Sequence, residues 1–306
     1  MIVGIIGSGG REHAICHKLS SIKKVKQLYC FPGNAGTAKI AKNISINLEN
    51  FNELKDFIKL NKIDLIIVGP EKPLVEGIVD FLEANNIQVF GPNKIASQLE
   101  GSKTFCKDFL YRNNIPTAFY KTFTEAEEAK LYVKEKGTPI VIKADGLAAG
   151  KGVIIANSTQ EAVNTIDDML EGNRFGDAGS RVVIEEFLVG EEASFIVMVD
   201  GSNILPMATS QDHKARDNDD KGPNTGGMGA YSPAAIVSPA IFDEVMDNVI
   251  KTTIDAMQSE GMPYTGFLYA GLMIDNKGKV KVLEYNCRFG DPETQPIMMR
   301  LKSNLA

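Results

Sequence analysis

The sequence predicts an α/β protein in which an N-terminal open parallel sheet is followed by an α+β region. Apolar strand-like runs alternate with helix-like stretches from residue 1 to about residue 92, and such alternation is typical of parallel sheets. The segments are, in order, 2–6, 12–20, 27–31, 51–60, 65–68, 74–84 and 89–90. Beyond about residue 101 the pattern changes to strand pairs joined by glycine-containing turns, at 139–143 with 152–156 and at 267–275 with 279–286.

The composition is that of a globular chain. Of 306 residues, 43% are hydrophobic and 24% are charged, which allows two or three cored units. The net charge of -6 argues against a nucleic-acid partner, because a polyanion usually requires a basic face. No stretch has the pattern of a membrane span or an export signal. The four cysteines are far apart, so we expect reduced thiols in a cytoplasmic protein, with neither zinc nor disulfides.

The first glycine loop, at 7–10, follows the first predicted strand and imitates a dinucleotide-binding fingerprint. Glu12 stands where the third glycine of that fingerprint is needed, and no carboxylate for a ribose follows the second strand, so an NAD site is not expected. The loop and the start of the next helix could instead hold one phosphate, with Arg11 adding charge. The alternative is that these glycines only form a tight turn.

A second glycine-rich segment, 143–152, has lysines near both ends. It is not a P-loop, because Gly152 follows Lys151 where a serine or threonine is needed for Mg²⁺. A flexible loop between two strands can fold over a triphosphate and neutralise it during phosphoryl transfer. The alternative is a solvated turn. Ser102 is predicted to cap a helix that begins at Lys103, with a domain boundary near residue 101.

Acidic residues follow two predicted strands. The segment 185–192 carries four glutamates in eight residues, which suits either a nucleotide-binding connection or a merely charged loop. If 279–286 is a strand, Glu284 and Asn286 share one face with Arg288 next to them. Such oxygen ligands suit Mg²⁺, and the guanidinium could grip a phosphoryl or carboxylate group. The alternative is a polar strand edge.

The segments 211–214 and 222–230 enclose a very polar loop. Its ordering without a ligand would be costly, and its glycines would allow a small substrate to approach the backbone. His213 could suggest acid–base catalysis, but the other histidines are only His13 and His17, and no serine or cysteine completes a triad pattern. Hydrolase chemistry is therefore not expected.

Taken in order, six strings resemble the glycinamide ribonucleotide synthetase family over the whole chain. They occupy residues 7–13, 32–37, 69–71, 143–152, 222–231 and 288–295, and the last one, Arg-Phe-Gly-Asp-Pro-Glu-Thr-Gln, is a signature of that family. The resemblance implies an N-terminal α/β domain at 1–101, an ATP-grasp lid with its linking helix at 102–192, and a larger ATP-grasp domain with a metal site at 193–306. It also implies that the family's C-terminal domain is absent from this chain.

The resemblance implies roles for individual residues. Those implied to bind ATP are Lys103, Lys143, Gly150, Lys151, Glu185, Glu186, Leu188 and one of Glu191 and Glu192. Glu284 and Asn286 would bind Mg²⁺, with Mn²⁺ as an alternative, and Lys143 and Arg288 would be catalytic. Those expected to bind the other substrates are Gly9, Gly10, Arg11, Asn34, Asp212, Lys214, Thr225, Gly226, Arg288 and Asp291. Relatives usually carry arginine where this chain has Ala215, so contacts in that loop remain open.

The implied activity is ATP-dependent ligation of glycine to phosphoribosylamine through a glycyl phosphate, a step of purine biosynthesis. Three alternatives remain open: another ATP-grasp enzyme of that pathway, a nucleotide-binding protein with little or no turnover, and, more distantly, a dehydrogenase. The resemblance implies a further segment beyond Ala306, so we expect ATP binding with weak or absent ligation unless self-association or a separate C-terminal segment covers the exposed surface.

Overall fold

The computed structural model describes residues 1–148, 152–172, 176–218 and 221–305. Its N-terminal part is a five-stranded sheet of order β3-β2-β1-β4-β5 in which every pairing is parallel. The elements are β1 (Ile2–Gly7), α1 (Gly10–Ser20), β2 (Gln27–Pro32), β3 (Lys42–Asn43), α2 (Phe51–Asn61), β4 (Leu65–Val68), α3 (Glu71–Glu76), α4 (Ile78–Glu83), β5 (Val89–Phe90) and α5 (Gln98–Gly101). The predicted open parallel sheet is confirmed.

One predicted helix of this part is divided. Residues 74–84 were expected to be one helix, but α3 and α4 meet at Gly77, whose φ of 95° is in the left-handed region. A left-handed residue ends one helix and allows the chain to start another in a new direction.

The second part is an antiparallel sheet of order β6-β9-β7-β8 covered by helices. Its elements are α6 (Lys103–Arg112), β6 (Tyr120–Phe123), α7 (Ala126–Lys136), β7 (Ile140–Ala144), β8 (Val153–Ala156), α8 (Thr159–Leu170) and β9 (Val182–Glu186). Strands β7 and β8 form the expected antiparallel pair on either side of the glycine-rich segment. A separate hydrophobic core lies between this sheet and α7 and α8, and includes Val133, Ile142 and Ile166.

The third part contains a four-stranded sheet of order β11-β10-β14-β15 and a two-stranded hairpin. Its elements are β10 (Glu191–Asp200), β11 (Ile204–Pro206), β12 (Gln211–Asp217), β13 (Lys221–Tyr231), α9 (Pro239–Val245), a π-helical turn (Met246–Lys251), α10 (Thr252–Ser259), β14 (Thr265–Ile274), β15 (Val280–Asn286) and α11 (Thr294–Arg300). Strands β14 and β15 pair antiparallel, as their sequences predict.

The polar segment 211–230 is not the predicted loop. It forms the β12–β13 hairpin, whose pairing is irregular between His213 and Ala215 and between Ala215 and Asp217. The segment consists largely of polar and glycine residues and has no alternating apolar pattern, so its sequence did not predict strands. The residues that do pair nevertheless satisfy one another's backbone N–H and C=O groups.

The first and third parts share a common core with helix α6 of the second, and this core includes Ile66 of β4, Phe109 of α6 and Leu268 of β14. The change from the second sheet to the third lies between Glu186 and Glu191. The expected boundary after residue 192 therefore falls inside β10, and the division into three domains stays a prediction. Within the described residues, no helix combines the length and the apolar character needed to cross a membrane.

Candidate functional site

A cleft of about 880 Å³ is lined by residues from all three parts of the chain. It collects residues that are far apart in the chain, from α6, β7, the connection between β9 and β10, β12 and the end of β15. The predicted site residues that line it are Lys103, Lys143, Glu185, Glu186, Leu188, Glu191, Glu192, Asp212, Lys214, Thr225, Glu284, Asn286, Arg288 and Asp291. The fold therefore unites in one cavity most of the residues that the sequence singles out.

Two lysines of the cleft are placed by secondary structure. Lys103 is the first residue of α6, whose N-terminus is capped by the Ser102 hydroxyl, as predicted. Asp145 accepts hydrogen bonds from the Ser102 hydroxyl at 3.0 Å and from the Thr104 N–H at 2.7 Å, which ties the helix to the end of β7. Lys143 lies within β7. The sequence did not identify Asp145 as the link between these two elements.

Lys143 forms an ion pair with a buried carboxylate. Its Nζ lies 3.0 Å from Glu185 Oε1 and donates to the Leu283 carbonyl at 3.3 Å. Burial alone would lower the pKa of Lys143, but the carboxylates of Glu185 and Glu284 outweigh burial and raise it. Lys143 therefore stays protonated and can offer positive charge to an anionic ligand.

The second oxygen of Glu185 contacts a lysine that sequence reasoning missed. Lys107 Nζ lies 2.9 Å from Glu185 Oε2, and both side chains are only 2% exposed. Burial lowers the pKa of Lys107, and the Glu185 carboxylate opposes that effect. The spacing of the two lysines could have indicated Lys107 as a site residue. Lys107 follows Lys103 by one helical turn and so lies on the same face of α6.

The connection from β9 to β10 forms another wall of the cleft. Glu186 accepts a hydrogen bond from Lys281 Nζ at 3.0 Å, and its N–H donates to the Phe119 carbonyl. Glu192 Oε2 lies 2.9 Å from Lys214 Nζ, and both Glu192 and its neighbour Glu191 are exposed. Strand alternation places these two glutamates on opposite faces of β10, so they can take different roles.

Glu284 and Asn286 lie at the end of β15 and face the cleft, while Tyr285 and Cys287 between and beyond them are buried in the core. Burial would raise the pKa of the Glu284 carboxyl. The nearby cationic groups of Lys214, Lys143, Lys103 and Arg288 outweigh burial and lower it. Glu284 is therefore an anionic oxygen donor surrounded by four cationic groups.

Arg288 is held by two carboxylates from the N-terminal part. Its Nη2 lies 2.9 Å from Glu100 Oε1, and its Nε lies 3.2 Å from Glu71 Oε2. Nη2 also donates to Asn286 Oδ1 at 3.0 Å. Glu100 additionally accepts the Cys287 N–H at 2.7 Å. Sequence reasoning missed both glutamates, because their partner is nearly two hundred residues away along the chain.

The N-terminal glycine loop abuts the end of the cleft but does not line it. Arg11 N–H donates to Asp291 Oδ2 at 3.1 Å, and Asn34 donates to the Ser8 carbonyl at 2.9 Å. The Arg11 guanidinium points inward and contacts Glu12 and the Phe289 carbonyl. The sequence suggested that Arg11 adds positive charge to a phosphate site in this loop. In the structure Arg11 is only 8% exposed, so its charge is buried.

Glu12, which stands where a dinucleotide fingerprint has its third glycine, is buried beneath this loop and hydrogen-bonds to it. It is 1% exposed and accepts the Gly9 N–H at 2.6 Å. A side chain at Gly7 or Gly69 would collide with the Glu12 side chain. The glycines therefore leave room for a buried carboxylate, and Glu12 with Asp291 accepts two of the N–H groups that a phosphate would otherwise use.

Asp212 and Lys214 project from β12, and Thr225 of β13 donates to the Lys214 carbonyl at 3.0 Å. Among the described residues, Asp212 Oδ1 is buried without a hydrogen-bond donor. Burial and the nearby carboxylates of Glu293 and Glu192 raise the pKa of Asp212 to about 6, against the opposing charge of Lys214. Gly226 lies in β13, and Gly150 and Lys151 lie outside the described residues.

Asp212→Asn is expected to stabilise the ligand-free protein at pH 7.5 by about 2 kcal/mol. The folded-state pKa is raised above 3.8, so the folded protein binds this proton more tightly than the unfolded chain. The charged carboxylate therefore costs stability fully above about pH 6, and the cost disappears as the pH falls toward 4. Thermal melts of both proteins across pH 4–8 should show a gain that vanishes at the acidic end. A constant gain, or a loss, would contradict this assignment.

The fold and the cleft define the class of this chain. Residues 1–100 match the model of the phosphoribosylglycinamide synthetase N domain, and residues 101–294 match that of the phosphoribosylglycinamide synthetase ATP-grasp (A) domain. The chain therefore has an ATP-grasp fold, a class that implies ATP and a divalent metal. It belongs to the phosphoribosylglycinamide synthetase family.

Relatives of known function agree with this assignment. The phosphoribosylamine–glycine ligase of Vibrio parahaemolyticus is 62% identical over all of this chain, and that of Escherichia coli K12 is 59% identical. The chain spans 72% of the length of each. A crystal structure of the Thermotoga maritima phosphoribosylamine–glycine ligase matches 98% of the chain and 72% of its own length, with a TM-score of 0.84 and 36% identity.

More distant structures share the fold alone. The biotin carboxylase domain of the Hydrogenobacter thermophilus 2-oxoglutarate carboxylase matches 99% of this chain and 71% of its own length, with a TM-score of 0.72 at 19% identity. At that identity the likeness extends to the ATP-grasp architecture only.

Proposed function

We propose that this chain ligates glycine to phosphoribosylamine at the expense of ATP, forming glycinamide ribonucleotide, ADP and phosphate. One observation carries the proposal: a single cleft unites two lysines from the lid side, Lys103 and Lys143, with Glu284, Asn286 and Arg288 at the end of β15. The family's ATP-grasp architecture supports it. All four cysteines are free and buried, which supports the cytoplasmic location expected from the sequence.

A carboxylate is a poor electrophile, so the glycine carboxylate must be activated before an amine can attack it. Its oxygen attacks the γ-phosphorus of ATP, the bond to the β-phosphate oxygen breaks, and glycyl phosphate and ADP form. The phosphoribosylamine nitrogen then attacks the glycyl carbonyl carbon, and phosphate leaves. Positioning and charge neutralisation dominate such transfers, which suits a cleft rich in lysines.

Within this scheme each group has a stated task. Lys103 and Lys143 neutralise phosphate charge, residues 185–188 border the adenine, and Glu191 or Glu192 accepts from the ribose hydroxyls. Asp212 and Lys214 lie opposite Glu284 in the cleft and are proposed to contact the small substrates. The loop 7–11 with Asn34 lies beyond Asp291. We assign this end to the ribose phosphate of phosphoribosylamine, which would replace Glu12 and Asp291 as acceptor of the Gly9 and Arg11 N–H groups.

Glu284 and Asn286 would hold the divalent metal, which we take to be Mg²⁺, with Mn²⁺ as a substitute. The donor set fits, because Glu284 is kept ionised by its cationic neighbours and Asn286 presents an amide oxygen on the same side of β15. Within the described residues, no group of three or more acidic, cysteine or histidine side chains could form a complete metal cage. Mg²⁺ usually keeps several waters and shares substrate phosphates, so it needs only one or two protein donors. When bound, it would neutralise charge on the phosphates.

A phosphate-release assay with omitted substrates tests the proposed function. We expect phosphate release only when ATP, glycine and freshly prepared phosphoribosylamine are all present. Release that requires bicarbonate or formate and another ribonucleotide would favour a different ATP-grasp enzyme. ATP binding without release under any of these conditions would favour a nucleotide-binding protein.

A further inference from the structure

Lys107 is a buried charge that the proposed reaction does not use. Its side chain is 2% exposed, lies 2.9 Å from Glu185 Oε2 and donates to the Thr117 hydroxyl at 2.7 Å. Thr117 donates in turn to the Val282 carbonyl at 2.7 Å. The ammonium group is thus fixed between β9 and the segment that precedes β6, and the buried side chain forms part of the wall of the cleft.

Glu185 links this buried lysine to the lysine of the active cleft. One carboxylate oxygen contacts Lys107, and the other lies 3.0 Å from Lys143 Nζ. The three side chains are 2%, 2% and 6% exposed, so water screens their charges poorly. Two cations and one anion leave a net charge of plus one, whereas Glu185 and Lys143 without Lys107 would form a neutral pair.

We propose that Lys107 is a positioning residue that offsets the charge of Glu185, so that Lys143 keeps a positive charge available to the triphosphate. The inference rests on the proposed ATP-dependent reaction and deepens it, because Lys107 would act on ATP without touching it. Stability alone is a weak reason for this arrangement, since buried ion pairs often contribute little relative to apolar residues of similar size.

Lys107→Met tests this role. The variant leaves Glu185 to neutralise Lys143, so the dissociation constant for Mg-ATP should rise about tenfold. Binding of adenosine, which carries no phosphate, should change little. Both constants are measured by calorimetry or competition, and their ratio is the readout. Lys134→Met, which removes an exposed lysine from the same part of the chain, should leave the ratio unchanged.

The double variant Lys107→Met/Glu185→Gln removes both charges of the buried pair and returns the net charge around Lys143 to plus one. Its ratio of ATP to adenosine affinity should recover to within about threefold of the unmodified protein. If Lys107→Met alone does not fold, this double variant carries the test by itself, because loss of ATP preference in the folded double variant would overturn the inference.

The outcomes separate this inference from the proposed function. An unmodified protein that binds no ATP would refute the ATP site and the inference with it. An unmodified protein that binds ATP, together with a Lys107→Met variant of unchanged ratio, would overturn the inference alone. Equal losses for ATP and adenosine would mean that Lys107 only maintains the shape of the pocket, and would overturn it as well.

Discussion

Glu284→Gln is expected to reduce ligation by about a thousandfold or more while the protein remains folded. The substitution keeps the size and shape of the side chain but removes the negative charge that four surrounding cationic groups stabilise. Without that charge, the end of β15 would bind the divalent metal more weakly, and Mg-ATP would be held less well. Steady-state phosphate release at saturating glycine and phosphoribosylamine measures the effect.

Glu244→Gln is a matched control for this variant, because Glu244 is an exposed residue of α9. It makes the same chemical change away from the cleft, so its turnover should equal that of the unmodified protein. Circular dichroism and thermal melts of both variants establish that they are folded. A folded Glu284→Gln protein with undiminished turnover would remove Glu284 from the metal site.

Lys143→Met is expected to weaken Mg-ATP binding and to slow phosphoryl transfer, with an overall loss in kcat/KM of about a hundredfold or more. Methionine has a similar length but carries no charge, so it cannot neutralise the triphosphate as charge moves toward the leaving ADP. It also leaves Glu185 with Lys107 as its remaining ion-pair partner. Initial rates over a range of ATP concentrations separate the effects on kcat and KM.

Lys134→Met is again the control, since it removes an exposed lysine of α7 and should leave both kinetic parameters unaltered. ATP-dependent activity of Lys143→Met equal to that of the control would exclude Lys143 from the phosphate-binding site.

Most elements of regular structure were predictable because their signals are local. The strand 65–68 and the strand 89–90 occur at the predicted residues, and Ser102 caps the helix that begins at Lys103. Apolar runs, glycine turns and a capping hydroxyl act within a few residues of one another. The ATP-grasp architecture was predicted from the six strings that resemble the family. Periodicity alone would not have distinguished it from other α+β folds.

The partners of the charged site residues were not predictable in this way. Arg288 was expected to be available to a phosphoryl group, yet it contacts Glu71 and Glu100. Lys107 looked like an ordinary helix lysine, yet it is buried against Glu185. These pairings depend on how the N-terminal part and the two antiparallel sheets pack, and no pattern within one segment encodes them.

The proposed reaction activates the glycine carboxylate by phosphorylation in this cleft. Ligation with glycine that carries oxygen-18 in both carboxylate oxygens tests it, with the released phosphate analysed by mass spectrometry. Attack of the carboxylate on the γ-phosphorus, followed by attack of the amine on the carbonyl carbon, predicts one heavy oxygen in each phosphate and the other in the amide product. Released phosphate that contains no heavy oxygen would contradict the account, because ATP would then be cleaved without activating glycine.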